Sequence, residues 1–147
     1  MTCTIRRALT RDAAQLVALA EQLIPLKEGA ARDGLLRTAL HDPACTIFVA
    51  EADDRLVGFI EVRVVPDFVE GAPIAIIHNL VVETDYRRQG VGSHLIQRVK
   101  DEVEQRNVTE THVWTEFDNH PALLFYTRHG FRLRGLLLER ESEHPVS

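Results

Sequence analysis

A strand-like run that passes through a glycine loop into an amphipathic helix lies at the centre of this chain. The residues from Ile74 to Val82 are nearly all apolar and predict a strand buried on both faces. Residues 91–106 then carry apolar side chains every four positions, which predicts a helix. The two elements are joined through Arg87-Arg88-Gln89-Gly90-Val91-Gly92-Ser93. Because the first N–H groups of a helix lie unpaired at the positive end of its dipole, such a loop is suited to holding phosphate.

The remaining periodicity predicts alternating elements on either side of this segment. We expect Thr10 to cap the first helix, the tetrapeptide 52–55 to turn a hairpin and Gly130 to end the last helix. Strands are predicted over 3–9, 46–50, 56–65, 74–82, 111–117 and 131–138, and helices over 11–24, 30–41, 91–106 and 120–129. The order βααβββαβαβ indicates a mixed α/β sheet with helices on both faces.

Size and charge limit the remaining possibilities. The 147 residues suit a single domain, 1–147, and the net charge of −5 includes no basic cluster for a nucleic acid or a membrane surface. No run approaches the length of a membrane span, and two cysteines without a CxxC pair favour a reducing, cytoplasmic setting. The histidines 112, 120 and 129 lack metal-ligand spacing, so we expect no metal.

The glycine loop by itself leaves several interpretations open. It could be a simple turn that opens a helix, with two solvated arginines beside it. Neither GxGxxG nor GxxxxGK[ST] is present, which counts against an ordinary nucleotide-binding domain. Arg-x-x-Gly-x-Gly between a buried strand and a helix is a more specific pattern.

Two motifs in this order resemble the GNAT superfamily of N-acetyltransferases. Arg87, Gly90 and Gly92 match that family's [Gln/Arg]-x-x-Gly-x-[Gly/Ala] signature after the fourth strand. Its second motif, an Asn, a short helix ending in Tyr and then Gly-Phe, is matched within 119–131. The first 70 or so residues match only in outline. The resemblance implies a GNAT-like acyl-CoA N-acyltransferase fold.

The resemblance also implies acetyl-CoA as cosubstrate and a set of residues that bind it. A bulged fourth strand would splay from the fifth, and its main chain would pair with the pantetheine arm. The loop amides would hold the pyrophosphate, and an asparagine would contact the middle of the cofactor. The implied cofactor-binding residues are Leu80, Val81, Val82, Arg87, Arg88, Gln89, Gly90, Val91, Gly92, Ser93 and Asn119.

Acetyl transfer to an amine needs a general acid and a general base. Tyr126 stands where the family places a tyrosine that protonates the departing thiolate; otherwise it is a core tyrosine. Two residues are candidates for the base: Glu116, otherwise a solvated strand-end charge, and His78, otherwise a hydrogen-bonded core residue. Glu61 is a third choice, better suited to holding a cationic substrate.

The function implied is an N-acetyltransferase that moves acetyl from acetyl-CoA to a primary amine in a ternary complex. The alternative is a non-catalytic module of the same fold that binds acyl-CoA as a sensor or structural partner. The acceptor would be a small-molecule or peptide amine, which the sequence does not identify. An exposed final strand could pair between two copies to give a homodimer.

Overall fold

The computed structural model describes residues 2–25 and 31–143. Two compact units make up the chain, Met1–Val113 and Trp114–Ser147. The first contains β1 (Thr4–Arg7), α1 (Ala13–Leu23), α2 (Arg32–His41), β2 (Cys45–Ala52), β3 (Arg55–Val65), β4 (Ile74–Val82), α3 (Val91–Gln105) and β5 (Thr111–Val113), with short 3-10 turns at Thr10–Asp12 and Thr84–Tyr86. The second contains α4 (His120–Arg128).

The first unit is a five-stranded mixed sheet in the order β1-β2-β3-β4-β5. Neighbouring strands are antiparallel except β4 and β5, which are parallel because α3 connects them. The predicted hairpin is confirmed: Ala52 pairs with Arg55, and Asp53 and Asp54 both have positive φ, as a two-residue type I′ turn requires.

Helices cover both faces of the sheet, as the sequence predicts. Leu16 and Leu19 of α1 and Ala39 of α2 pack in one cluster with Ile47, Val49, Phe59 and Val81 of the strands. On α3, Val91, Leu95, Ile96 and Val99 are almost fully buried. The amphipathic period of four predicted for this helix is therefore its packing face.

Three details of the sequence prediction are wrong in this unit. Thr10 does not cap α1, since Thr10–Asp12 form a 3-10 turn and Asp12 is the N-cap residue. The Asp12 carboxylate accepts instead from Leu9 N–H at 2.7 Å and from Arg6 Nη1 at 2.8 Å. The second helix starts at Arg32, and residue 30 of its predicted range lies outside the described residues. β4 is not buried on both faces, since His78 is exposed and Asn79 and Leu80 are half-buried.

The third error is the length of β5, which ends at Val113 rather than at 117. Pairing with β4 stops at Ile77↔Val113, one residue before β4 departs from regular pairing at His78. Without a neighbouring strand, a segment lacks the hydrogen-bonding partners that keep its backbone in a strand.

In the second unit the helix prediction is confirmed and the final strand is wrong. Asn119 Oδ1 accepts from Ala122 N–H at 3.2 Å and so caps α4. At the other end Gly130 has φ +89°, and Gly130 and Phe131 donate to the carbonyls of Thr127 and Tyr126 in a Schellman arrangement.

Residues 131–138 form no strand within the described part of the chain. The run alternates in composition, but none of the five strands of the sheet pairs with it, and Leu133, Leu136 and Leu138 are 88%, 91% and 88% exposed. The order βααβββαβαβ therefore loses its last strand. The predicted homodimer was to form through this strand, so the observation on which that prediction rested is absent.

Candidate active site

The fourth strand carries a bulge in the middle of its length. The β3 partners of β4 run regularly from Gly58↔Val82 to Glu61↔Asn79, but the next pair is Val62↔Ile77. His78 is the extra residue, and it has no counterpart on β3. One extra residue also reverses the side of the sheet on which each following side chain lies, because side chains alternate with a period of two.

The backbone of β4 beyond the bulge has one edge free of strand pairing. Glu83 N–H donates to Val57 C=O at 2.8 Å, so the ladder is hydrogen-bonded at this position. Hydrogen-bonded and non-hydrogen-bonded positions alternate along an antiparallel ladder. The register therefore directs the N–H and C=O groups of Val81 and Asn79 to β3, and those of Leu80 and Val82 away from it. β5 does not pair with this part of β4, since its register covers only residues 75–77. Leu80 and Val82 therefore present backbone groups along an open edge.

The glycine loop begins at the end of this edge. Arg87 Nε donates to Val82 C=O at 3.2 Å, which folds the arginine back along the strand end. Arg88 and Gly90 adopt left-handed conformations with φ +62° and +84°. Such residues turn neighbouring N–H groups towards one side, an arrangement that forms anion-binding concavities.

The helix that follows begins after a glycine, which has no side chain that could cap it. Gly90 is the N-cap residue of α3 and makes no side-chain hydrogen bond, and the first turn contains no acidic residue. The N–H groups of Val91 and Gly92 fall within the first turn, where a helix offers no internal acceptor. The positive end of a 15-residue helix thus meets the open edge of β4.

A second glycine lets α3 approach the sheet. A Cβ at Gly58 would lie 2.9 Å from Val81 O and 3.3 Å from Val91 Cγ1. Because real side chains do not reach such distances without displacing the backbone, only glycine on β3 permits this packing. Gly58 therefore sets the position of the N-terminal end of α3.

Polar contacts hold the turn between β4 and the loop against the β2–β3 hairpin. Arg55 Nη1 forms an ion pair with Glu83 Oε2 at 2.9 Å, and its guanidinium lies 5.3 Å from the centre of the Tyr86 ring. The Tyr86 hydroxyl donates to the Asp53 carboxylate, which raises the pKa of Tyr86. These contacts preset the loop geometry before any ligand binds.

A polar network surrounds Glu61 on β3, next to the bulge. Its carboxylate is 13% exposed and accepts from Asn79 Nδ2 at 2.9 Å and from Arg63 Nη2 at 2.9 Å. The Cys45 thiol lies 3.6 Å from Glu61 Oε2, and burial followed by this negative charge raises the pKa of Cys45 to about 11. Cys45 is therefore a protonated hydrogen-bond donor at neutral pH and not a thiolate nucleophile.

His78 lies at the rim of this network. Its Nδ1 is 3.9 Å from Glu61 Oε2, and its side chain is 52% exposed, so His78 is not a core histidine. Beside the network, α1, α2 and the sheet enclose a cavity of about 400 Å³ whose polar lining residues are Glu61, Arg63, Asn79 and Arg32.

The remaining predicted residues belong to the second unit. Tyr126, on α4, makes edge-on contacts with Phe125 and Phe131, whose ring centres lie 5.2 and 5.5 Å away. Burial raises the pKa of Tyr126 to about 12. Glu116 is exposed and lies in the loop before α4, not at the end of β5 where the sequence places it.

The first unit thus brings together His78, the β4 edge and the glycine loop. Asn119, Glu116 and Tyr126 lie in the second unit, where Asn119 and Tyr126 occupy the two ends of α4. Sequence reasoning did not single out Asn79, Arg63 or Arg32. Asn79 could have been noticed as a polar residue inside an apolar strand, but nothing in the sequence indicates that Arg32 reaches a cavity.

The helices and polar clusters of the described residues supply two further findings. None of these helices combines the length and apolar character needed to cross a bilayer. Within residues 2–25 and 31–143, no three His, Cys, Asp or Glu side chains converge as metal ligands would.

Comparisons with known proteins agree with the fold. The model of the Acetyltransferase (GNAT) family matches residues 13–131. Mycothiol acetyltransferase of Clavibacter michiganensis subsp. michiganensis is 36% identical over 91 residues, 62% of this chain and 28% of that protein. The chain thus spans less than a third of the length of this relative.

Two other proteins are matched over nearly their whole length. The aminoalkylphosphonate N-acetyltransferase of Salmonella typhimurium is 30% identical over 132 residues, 88% of this chain and 85% of that protein. The crystal structure of an aminoglycoside 6′-N-acetyltransferase from Acinetobacter baumannii superposes with a TM-score of 0.83 at 20% identity, over 98% of this chain and 100% of that one. Since the family model covers most of its length, the chain belongs to the GNAT family of acetyltransferases.

Proposed function

We propose that this chain is an acetyl-CoA-dependent N-acetyltransferase that acts as one domain over residues 1–147 and transfers acetyl to a primary amine. The observation that supports this most is that the open edge of β4 leads directly into the N-terminus of α3, whose N-cap residue is Gly90. An edge that can pair with an amide-containing arm, followed by a site for phosphate, matches the chemical layout of coenzyme A. Family membership supports the same reaction class.

In this proposal each part of the cofactor meets a different backbone element. Leu80 and Val82, with Val81 between them, pair with the pantetheine amides. The amides from Arg88 to Ser93 hold the pyrophosphate, with Arg87 supplying positive charge. Asn119 uses Oδ1 to cap α4, so its Nδ2 is the group that contacts the cofactor.

The chemical step requires two proton movements. The amine nitrogen attacks the thioester carbonyl, a C–N bond forms, the C–S bond breaks, and the electron pair leaves on sulfur. A base takes the amine proton, and an acid delivers one to the thiolate. Tyr126 suits the acid, since a phenol with pKa about 12 is protonated in all but about one molecule in a thousand at pH 9.

Two residues remain proposed for the base. His78 is exposed at the bulge and 3.9 Å from Glu61, which lines the cavity beside β4. Glu116 is an exposed carboxylate of the second unit. We propose the cavity as the acceptor site, and a cytoplasmic enzyme without a metal.

The loop is tested by a pair of substitutions at Gly90. Both Gly90→Asp and Gly90→Asn place a side chain of similar size at φ +84°, and a Cβ there has room, with His94 Cε1 at 3.8 Å. Asp and Asn both tolerate the left-handed region, so the backbone cost is shared. Only Asp adds negative charge, and we expect it to weaken acetyl-CoA binding about tenfold more than Asn, or about 1.4 kcal/mol.

Calorimetric titration of both folded variants with acetyl-CoA measures this difference. Equal affinities of the Asp and Asn variants would show that no phosphate lies at the loop.

The two bases are separated by the pH dependence of kcat/KM. We expect either His78→Gln or Glu116→Gln to remove the rise of kcat/KM with pH while acetyl-CoA still binds, because the amine then loses its proton acceptor. His112→Gln, which alters another exposed histidine of the sheet, is the control and should keep the wild-type profile. If both test variants also keep it, neither residue is the base.

Tyr126→Phe separates an enzyme from a module that only binds acyl-CoA. The substitution keeps the ring contacts and removes the hydroxyl, so the melting temperature and acetyl-CoA affinity should stay near wild type. Turnover should fall on the order of 10²-fold, since a positioned acid contributes about that much. Unchanged kcat in a variant that folds and binds normally would rule out Tyr126 as the acid.

A further inference from the structure

The cavity between the helices and the sheet has apolar walls and a small set of polar groups. α1 and α2 line it with aliphatic side chains, and the sheet contributes further apolar residues beside its polar ones. The apolar lining residues are Leu16, Val17, Ala20, Leu23, Ile24, Ala31, Leu35, Leu36, Ala39, Ile47, Phe59 and Val81. Such walls favour a ligand with an apolar body rather than a sugar.

Arg32 adds a positive charge to the cavity wall. Its Nη2 donates to Ile24 C=O at 2.8 Å, which ties the start of α2 to the end of α1. Its Nη1 is buried, and no partner for it is found within the described part of the chain. A buried donor of a charged group without a partner is costly, so its retention at a cavity wall indicates a ligand that supplies the acceptor.

The other charges of the cavity are already paired. The Glu61 carboxylate accepts two hydrogen bonds from Arg63, at 3.1 and 2.9 Å, and one from Asn79. Arg63 also lies 3.6 Å from Asp42. Among the residues that line the cavity, the formal charges of Glu61 and Arg63 cancel, which leaves that of Arg32. An oxyanion would therefore be attracted to the Arg32 side of the cavity.

The start of α2 strengthens this preference. Ala31 and Arg32 both line the cavity, and no side chain caps the helix at Ala31. The positive end of the helix dipole thus lies on the same wall as the unpaired Nη1. A forked guanidinium next to the first turn of a helix suits a planar or tetrahedral oxyanion.

We propose that the acceptor is a small amphipathic molecule that carries an oxyanion, a carboxylate or a phosphonate, in addition to its primary amine. This rests on the proposed acetyltransferase function. Arg32 binds the oxyanion, the aliphatic walls bind the body, and the amine lies at the Glu61 and Asn79 side of the cavity, next to β4. Arg32 is then the residue that selects amino acid-like acceptors over polyamines and aminoglycosides.

The test compares acceptors that differ only in the oxyanion. Leucine is paired with 3-methylbutylamine and 6-aminohexanoate with pentylamine, so that two spacings between amine and carboxylate are covered. The phosphonate analogue of each acid separates the two oxyanions. With release of coenzyme A as the readout, we expect at least one acid or phosphonate to have a KM about tenfold or more below that of its plain amine.

Variants of Arg32 test the residue itself. Arg32→Gln should raise the KM of the preferred acid about tenfold, about 1.4 kcal/mol, while its kcat and the KM of the plain amine stay near wild type. Arg32→Lys keeps the charge but not the fork, and should retain part of the preference. Arg37→Gln is the matched control on α2: Arg37 pairs with Asp33 outside the cavity, and its loss should change neither KM.

The possible outcomes test the inference about the acceptor separately from the proposed acetyltransferase function. If plain amines or polyamines are acetylated as well as the acids, or if Arg32→Gln raises both KM values equally, the inference is wrong and the acetyltransferase proposal stands. If no amine of any class releases coenzyme A from acetyl-CoA, the proposed function fails. Should Arg32→Gln lower the melting temperature by loosening the Ile24 contact, the Arg32→Lys comparison decides.

Discussion

The extra residue at His78 is the constraint on which the rest of the site depends. It moves Asn79 and Val81 onto the face of the sheet that α1 and α2 cover, where Asn79 can reach Glu61. Beyond the bulge β4 has no pairing with β5, so its backbone is left open along one edge. A regular strand would have neither the open edge nor the polar group in the cavity.

The parts around the bulge are held by packing and by paired charges. Gly58 allows α3 to lie against β3 and the end of β4, which places the first turn of the helix beside the open edge. Arg55, Glu83, Tyr86 and Asp53 brace the turn before the loop. On the face that α1 and α2 cover, the Glu61 carboxylate is 13% exposed and accepts from Arg63 and Asn79. The proposed acceptor cavity therefore lies on one face of the distorted strand, and the proposed cofactor site lies along its open edge.

The features that depend on local sequence patterns were predicted correctly. β4 has the predicted bounds, the hairpin turns at Asp53 and Asp54, and Asn119 and Gly130 end α4, because each depends on propensity or on turn chemistry within a few residues. The wrong predictions concern segments that need a pairing strand from elsewhere in the chain. The fifth strand ends early and residues 131–138 form none, since an alternating run becomes a strand only where another strand bonds to it. The roles proposed for His78 and Arg32 depend on the strand register and on the cavity, and no local sequence pattern indicates either.

The central claim is that the outward backbone of β4 and the first turn of α3 bind acetyl-CoA. Residue-resolved amide hydrogen exchange by NMR, with and without acetyl-CoA, tests it most directly. We expect the cofactor to slow exchange at Leu80, Val82 and the Val91 and Gly92 amides. Exchange at Asn79 and Val81 should stay almost unchanged, because the ladder register directs their N–H groups to β3. Saturating acetyl-CoA that left Leu80 and Val82 exchanging at their free rates would contradict this claim.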